Sequence, residues 1–208
     1  MACYGHVPRI SPFSRIDQLP SQFELICAAG EMQGDAASGS PMGPMRWYIR
    51  SVSVLFAAYD EAVRTGRIAI ELTPDSPYTC FYLAMSLAAV GLKDEAWGMA
   101  NMGRKLNDGL PLGEGYFGYV AGVLGHVPEA RTAIGELQAR RERGYGPALP
   151  IAWTYLGLSE TASALEWLET ALAEHDPFLG SAMVFPAYDA IHDQARFMRL
   201  THELNLPT

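Results

Sequence analysis

A small residue recurs in this chain at a fixed interval of 34 residues, and this period constrains the fold more than any other feature. Four alanines are in phase without an insertion: Ala62, Ala96, Ala130 and Ala164. The position five residues earlier is also small, at Ala57, Gly91, Gly125 and Ser159. The position thirteen residues earlier is large and apolar, at Ile49, Leu83, Phe117 and Ile151. A period of this length with preserved size classes is typical of repeat proteins, in which each copy is one supersecondary unit.

Each copy predicts two amphipathic helices, for example about 77–90 and 93–106, with the small residue at the turn between them. Small side chains let two helices approach closely, and one pair cannot bury its apolar face alone, so consecutive pairs stack. The segments ELTPDSP (71–77) and NDGLPLG (107–113) mark unit boundaries, because proline disfavours helix in the residue before it. Gly98 and Gly103 fall inside a predicted second helix, where each costs about 1 kcal/mol relative to alanine unless it permits close packing.

The period, the Gly/Glu/Ala pattern and the ELTPDSP boundary resemble tetratricopeptide repeats over about residues 46–175. The resemblance implies an all-α fold, a right-handed α-solenoid of four stacked helix-turn-helix units with a capping helix at the C-terminus. Arg50 departs from the pattern, because the equivalent positions in the later units are small. Residues 1–45 do not repeat, and their prolines predict an irregular segment with one short helix near 19–33.

The C-terminal sequence carries a narrower resemblance. SALEWLETALAEHDPF (163–178) and FPAYDAIHDQARFMRLTHELNLP (185–207) are similar to the ends of tetratricopeptide modules in bacterial multidomain regulators, beside DNA-binding, adenylate cyclase or kinase domains. This similarity implies that residues 176–208 form a capping segment. Its expected anchors are Asp176, Pro177, Phe178, Phe185, Tyr188, Ile191 and Phe197. The chain is then either a stand-alone protein or the regulatory part of a longer one.

Charge and cysteine content restrict the class of protein further. The formal net charge of −8 and the scattered basic residues argue against a nucleic-acid partner, since phosphate contacts need clustered cations. The one basic cluster, Arg140, Arg141 and Arg143, is expected at a helix end, where cations are favoured. Three cysteines show no zinc spacing or disulfide framework. With no secretory signal and no apolar run long enough for a membrane span, we expect a soluble cytoplasmic protein.

The sequence contains no recognisable catalytic motif: no G-x-S-x-G turn, no P-loop and no dinucleotide fingerprint. Cys80 lies among aromatic residues on a predicted helix and is expected to be buried packing. His126 is expected at an exposed turn, and Glu166 and Glu169 on a solvated helix face. We therefore expect no catalytic residues, no metal site and no cofactor. The alternative is an enzyme, for example a hydrolase, with a site between the N-terminal segment and the repeats.

In the predicted fold the first helix of each unit lines the concave face. Two rows of residues step along it by 34: Trp47, Phe81, Gly115 and Leu149, then Ser51, Met85, Tyr119 and Trp153. The stripe is aromatic, rich in methionine and nearly free of charge, as interface anchors typically are. It lacks the Lys/Asn/Arg set that would clamp a carboxylate, so an acidic peptide tail is a disfavoured ligand. The candidate binding residues are Trp47, Phe81, Met85, Tyr119 and Trp153.

Three interpretations of this stripe remain open. Its residues could be interior packing, or they could form a groove for an apolar or amphipathic segment of a protein partner or of a second copy of the chain. In a third interpretation, the N-terminal segment, with Tyr4, Ile10, Phe13 and Phe23, folds back and fills the groove. The leading hypothesis is a non-enzymatic protein–protein interaction module, with a protein, a peptide or a homo-oligomer as partner and no membrane or nucleic acid.

Overall fold

A computed structural model describes residues 59–144, 146–182 and 186–204 of the chain. In these ranges the chain is helical and contains no β-strand. The predicted short helix near 19–33 and the first helix of the first unit lie outside the described residues. The helices are α1 (Tyr59–Leu72), α2 (Pro77–Ala89), α3 (Lys93–Leu106), α4 (Pro111–Leu124), α5 (Val127–Glu142), α6 (Leu149–Gly157), α7 (Thr161–Ala173), α8 (Leu179–Ala182) and α9 (Ala195–Glu203), with a 3₁₀ helix at Pro186–Ala190.

The predicted helices of the second unit, about 77–90 and 93–106, are confirmed as α2 and α3 within one residue. Each of α2, α4, α5 and α6 has a proline at its first or second helical position, where the missing N–H costs no hydrogen bond. At α2 the side chain of Ser76 also accepts a hydrogen bond from the N–H of Thr79 at 3.4 Å. Both proline-containing boundaries, 71–77 and 107–113, therefore end one helix and start the next.

The small residue between the two helices of a unit adopts a left-handed conformation. Its φ is +84° at Gly91, +87° at Gly125 and +60° at Ser159. In each case the N–H of the following residue bonds to a carbonyl five residues back, as in Leu92 to Leu87 at 2.9 Å. This bond closes the helix end and turns the chain. The period therefore places glycine where positive φ is needed, and Ser159 adopts the same conformation at some cost in strain.

Helix contacts follow the order of the predicted units. We call α2, α4 and α6 the first helices and α1, α3, α5 and α7 the second helices. The first helices contact one another in sequence, α2 with α4 and α4 with α6, and each also contacts the second helices before and after it. The four in-phase alanines, Ala62, Ala96, Ala130 and Ala164, are all buried on the second helices. The prediction that small residues sit where helices approach is therefore confirmed at these positions.

Helices α4 and α6 approach each other closely because glycines face the contact. A methyl group on Gly118 would lie 2.5 Å from Thr154 Oγ1, and one on Gly157 would lie 2.3 Å from the carbonyl oxygen of Tyr119. Side-chain atoms do not approach other atoms this closely, so Gly118 leaves room for the Thr154 side chain and Gly157 lets the α6 backbone meet the α4 backbone. The α4–α6 crossing depends on glycine at these positions.

The C-terminal segment packs back onto the last hairpin. Helix α9 contacts α7, and the 3₁₀ helix contacts α6. The expected anchors Tyr188, Ile191 and Phe197 are buried, and Asp176 Oδ1 accepts a hydrogen bond from the N–H of Phe178 at 2.9 Å. Phe185 lies outside the described residues. The 3₁₀ helix between α8 and α9 was not predicted from the sequence.

Candidate functional site

The predicted binding residues lie on the first helices. Phe81 and Met85 are on α2, Tyr119 is on α4 and Trp153 is on α6, whereas Trp47 lies outside the described residues. Phe81, Met85 and Trp153 are 0%, 5% and 2% exposed, and Tyr119 is partly exposed. Of these four side chains, Tyr119 is the most accessible to solvent.

Aromatic rings on the first helices form a continuous chain centred on Tyr116. The ring of Tyr116 stacks on Trp153 with centroids 4.7 Å apart and on Phe81 at 5.9 Å. Tyr78 and Tyr82 meet it edge-on at 6.2 and 5.6 Å. Each such pair contributes about 0.5–1.5 kcal/mol beyond the apolar area that it buries.

The chain continues into the C-terminal segment. Trp153 Nε1 donates a hydrogen bond to the hydroxyl of Tyr188 at 2.6 Å, and the ring of Tyr188 stacks on Phe197 at 5.4 Å. We call the whole set the aromatic row: Tyr78, Phe81, Tyr82, Tyr116, Trp153, Tyr188 and Phe197. The row crosses the three first helices and ends on α9.

Polar atoms inside the row have partners. The hydroxyls of Tyr82 and Tyr116 lie 3.5 Å apart, and Ser86 Oγ donates to the carbonyl of Tyr82 at 3.0 Å. A buried polar group without a hydrogen-bond partner costs more free energy than a formed hydrogen bond contributes. These contacts therefore restrict the orientations of the rings. The row is thus an ordered array of stacked and edge-on rings.

Three members of the row, Tyr78, Tyr82 and Tyr116, were not among the residues predicted from the sequence. The two rows predicted from the sequence contain the repeat positions of Phe81 and Met85. The position directly after that of Phe81, which Tyr82 and Tyr116 occupy, was not included. These two tyrosines are 34 residues apart, so the period itself contained the signal. Tyr188 was expected only as a packing anchor, and its hydrogen bond to Trp153 depends on how the C-terminal segment folds back.

Cys80 and His126 are both packed against neighbouring side chains. Cys80 is fully buried, as predicted, and its burial raises the pKa of the thiol, which disfavours the reactive thiolate. His126 was expected at an exposed turn but is partly buried, because its ring stacks on Trp97 with centroids 3.8 Å apart. Within residues 59–144, 146–182 and 186–204, no three His, Cys, Asp or Glu side chains come together as metal ligands.

The acidic and basic residues of the second helices pair with one another. Glu169 binds Arg196 on α9 with bonds of 2.8 and 2.7 Å, while Glu166 is exposed. Within the basic cluster, Arg141 donates to Glu174 at 3.0 Å and to the carbonyl of Gly146 at 3.0 Å. The hydrogen bond from Arg196 lowers the pKa of Glu169, as that from Arg141 lowers the pKa of Glu174. Both carboxylates form ion pairs that connect different helices: Glu169 connects α7 to α9, and Glu174, just after α7, connects this end of the chain segment to α5.

No protein-family model, no curated protein and no solved structure matches this chain. In the part of the chain that the structure describes, no helix is long and apolar enough to cross a membrane. The geometry of the helices and of the aromatic row is therefore the basis for a functional proposal.

Proposed function

We propose that this chain is a tetratricopeptide-like α-solenoid that binds an apolar or amphipathic segment of a protein partner along its first helices. The repeated turn at Gly91, Gly125 and Ser159 supports the repeat architecture. So do the serial contacts of α2, α4 and α6, because stacked hairpins bring each first helix against the next. The packing of α9 against α7 fits a capping helix at the end of such an array.

The aromatic row is the observation that carries the binding proposal. Helices α2 and α6 contain no charged residue, and the row joins them through Tyr116. Tryptophan and tyrosine are enriched among the residues that dominate binding energy at protein interfaces. Tyr78, a member of the row, and Tyr119, three residues after Tyr116 on α4, are partly exposed, so we assign first contact with the partner to them.

Burial decides which variant tests the proposal. Replacing Trp153 by alanine would remove a 2% exposed ring and the donor to Tyr188, and such changes cost about 3–5 kcal/mol of stability. Lost binding in that variant could simply reflect unfolding. Tyr119 is the better target because it is partly exposed.

We expect Tyr119→Ala to weaken partner binding about tenfold or more, the scale of an interface hot spot, with unchanged helical content. Tyr155→Ala is the matched control, because Tyr155 is partly buried on α6 but packs against Ile134, Leu137 and Ile151 on the α5 side. The measurement is capture from source lysate with each protein as bait, followed by calorimetry with the captured partner.

Self-association would appear in a separate sedimentation-velocity experiment, as a concentration-dependent sedimentation coefficient that Tyr119→Ala reduces. Equal recovery of the same proteins by the wild type and both variants would contradict the proposal and leave the row as interior packing.

A further inference from the structure

A charged side chain is buried at the junction of α3 and α4. Glu114, in the first turn of α4, is 3% exposed, and Asn107, just after α3, is 1% exposed. Asn107 Nδ2 donates to the carbonyl of Leu110 at 2.8 Å, and its amide lies against Gly113, where a methyl group would be 1.9 Å from Asn107 Oδ1. Ionised carboxylates are rarely buried unless they are well paired.

Hydrogen bonding at this junction is incomplete. Among the residues that the structure describes, neither Glu114 Oε2 nor Asn107 Oδ1 finds a hydrogen-bond donor, although both atoms are buried. Arg104 Nε donates to Glu114 Oε1 over a long distance of 3.4 Å, and Arg104 Nη2 approaches Oε2 to 3.2 Å without hydrogen-bond geometry. The junction thus has two buried acceptor oxygens and a shortage of donors.

The nearby charges compensate Glu114 only in part. Arg104 on α3 also binds the exposed Glu136 of α5 at 3.1 Å, so one cation serves two carboxylates. Arg140 of α5 adds a favourable charge and Glu136 an unfavourable one. The other helices that pack on α4, namely α2 and α6, contain no Asp, Glu, His, Lys or Arg. We call Arg104, Asn107, Glu114 and Glu136 the Glu114 junction.

We propose that Glu114 is a buried proton-binding site that holds the second and third hairpins together more firmly at mildly acidic pH than at neutral pH. Proton uptake turns the carboxylate into a neutral carboxylic acid, supplies the O–H donor that the junction lacks and leaves Arg104 paired with Glu136. This device is separate from the binding surface on the first helices and does not depend on it.

The direction of the effect follows from linkage between protonation and folding. Burial is the largest influence and raises the pKa of Glu114, while Arg104 lowers it in part. The folded chain then holds a proton that the unfolded chain releases at about pH 4.3, the ordinary glutamate pKa. The stability contributed by this site is therefore full at low pH and is lost as the pH rises through the raised pKa.

A carboxyl titration by NMR tests the proposal directly. With glutamate labelled at the side-chain carboxyl carbon, we expect one resonance to titrate at higher pH than the other glutamates and to be absent from Glu114→Gln. Glu136→Gln is the matched control, because it removes the exposed carboxylate bound to the same arginine. It should keep that resonance and move its midpoint to lower pH.

Arg104→Gln provides an independent variant if Glu114→Gln does not fold. It removes the cation that lowers the pKa of Glu114, so the same resonance should shift to still higher pH. Urea unfolding between pH 4 and 8 should show a fall in stability with rising pH that is smaller in Glu114→Gln. Titration of every glutamate in the ordinary range would overturn the proposal, and would point to a bridging water that leaves Glu114 ionised.

Discussion

Gly98 and Gly103 are five residues apart on α3 and have opposite surroundings. An added methyl group at Gly98 would have no atom within 4 Å, whereas one at Gly103 would lie 2.8 Å from Phe81 Cε1 and 3.1 Å from Cys80 Cβ. The sequence analysis treated both as costly to the helix unless they permit packing. Gly103 does permit close packing of α3 on α2, and Gly98 does not.

We expect Gly98→Ala to stabilise the protein by about 0.5–1 kcal/mol, because alanine is the better helix former. Gly103→Ala should destabilise it by about 1–3 kcal/mol through overpacking, since the Phe81 ring is fully buried. The measurement is the free energy of unfolding from urea titrations, and each variant is the control for the other. Stabilisation by both would show that the α2–α3 contact can expand without cost.

At the scale of elements, arginine–glutamate pairs join successive second helices. Arg67 of α1 binds Glu95 of α3 at 2.9 Å, and Arg104 links α3 to α5 in the same way. These pairs are largely exposed, so each contributes between about 0 and 1 kcal/mol. The two residues of each pair differ in number by 27 to 33, so the pairs connect successive helical segments of the chain.

The last pair, Glu169 with Arg196, fixes α9 on α7, and we expect Arg196→Gln to loosen that helix at neutral pH. The lowered pKa of Glu169 means that the pair's contribution is present above the ordinary glutamate pKa and is lost as the pH falls through the lowered one. Hydrogen exchange of the α9 amides should therefore be faster in the variant at pH 7 and converge with the wild type in acid.

Arg199→Gln is the matched control for α9. Arg199 is an exposed arginine on the same helix that forms no ion pair with the residues that the structure describes, and its charge has a smaller lowering effect on the pKa of Glu169 than the hydrogen bond from Arg196. Protection of α9 that stays the same in Arg196→Gln at pH 7 would mean that Phe197 and Leu200 hold the helix without help from the ion pair.

At the scale of the whole described region, the aromatic row links the first helices to the C-terminal segment. Its junction is the hydrogen bond from Trp153 Nε1 to the Tyr188 hydroxyl, and both side chains are 2% exposed. Stability at this junction therefore depends on residues 35 positions apart in the chain.

We expect Tyr188→Phe to reduce the free energy of unfolding by about 1–3 kcal/mol, because a buried donor loses its acceptor. Tyr155→Phe is the control, since Tyr155 is partly exposed and its change should fall within about 0.5 kcal/mol. Urea unfolding followed by tryptophan fluorescence measures both. An unchanged Tyr188→Phe variant would show that Trp153 can find another acceptor.

The 34-residue period predicted most of the helical organisation. It placed the helices of the second unit within one residue, the turns at Gly91 and Gly125, and the small residues that are buried on the second helices. These features depend on the size of one side chain and on the backbone conformation around it. Both are properties of individual positions in the sequence. The interaction module, its partner and the role of Trp47 remain predictions.

The candidate site was predicted only in part. Phe81, Met85, Tyr119 and Trp153 lie on the first helices, and their role as a binding stripe stays a prediction. The central place of Tyr116 in the aromatic row and the burial of Glu114 were not predicted. A glutamate in the first turn of a helix is ordinarily exposed, and its sequence neighbours carry no sign that Arg104 and Asn107 enclose it.

By itself, the amino-acid sequence determined where this chain forms helices, where it turns and which positions must be small, because propensity and periodicity act over a few neighbouring residues. The tertiary structure decided which ring stacks on which, which arginine meets which glutamate and which carboxylate loses its water. Those outcomes depend on the distance and rotation between packed helices, set by contacts such as Gly118 against Thr154, and no local pattern encodes them.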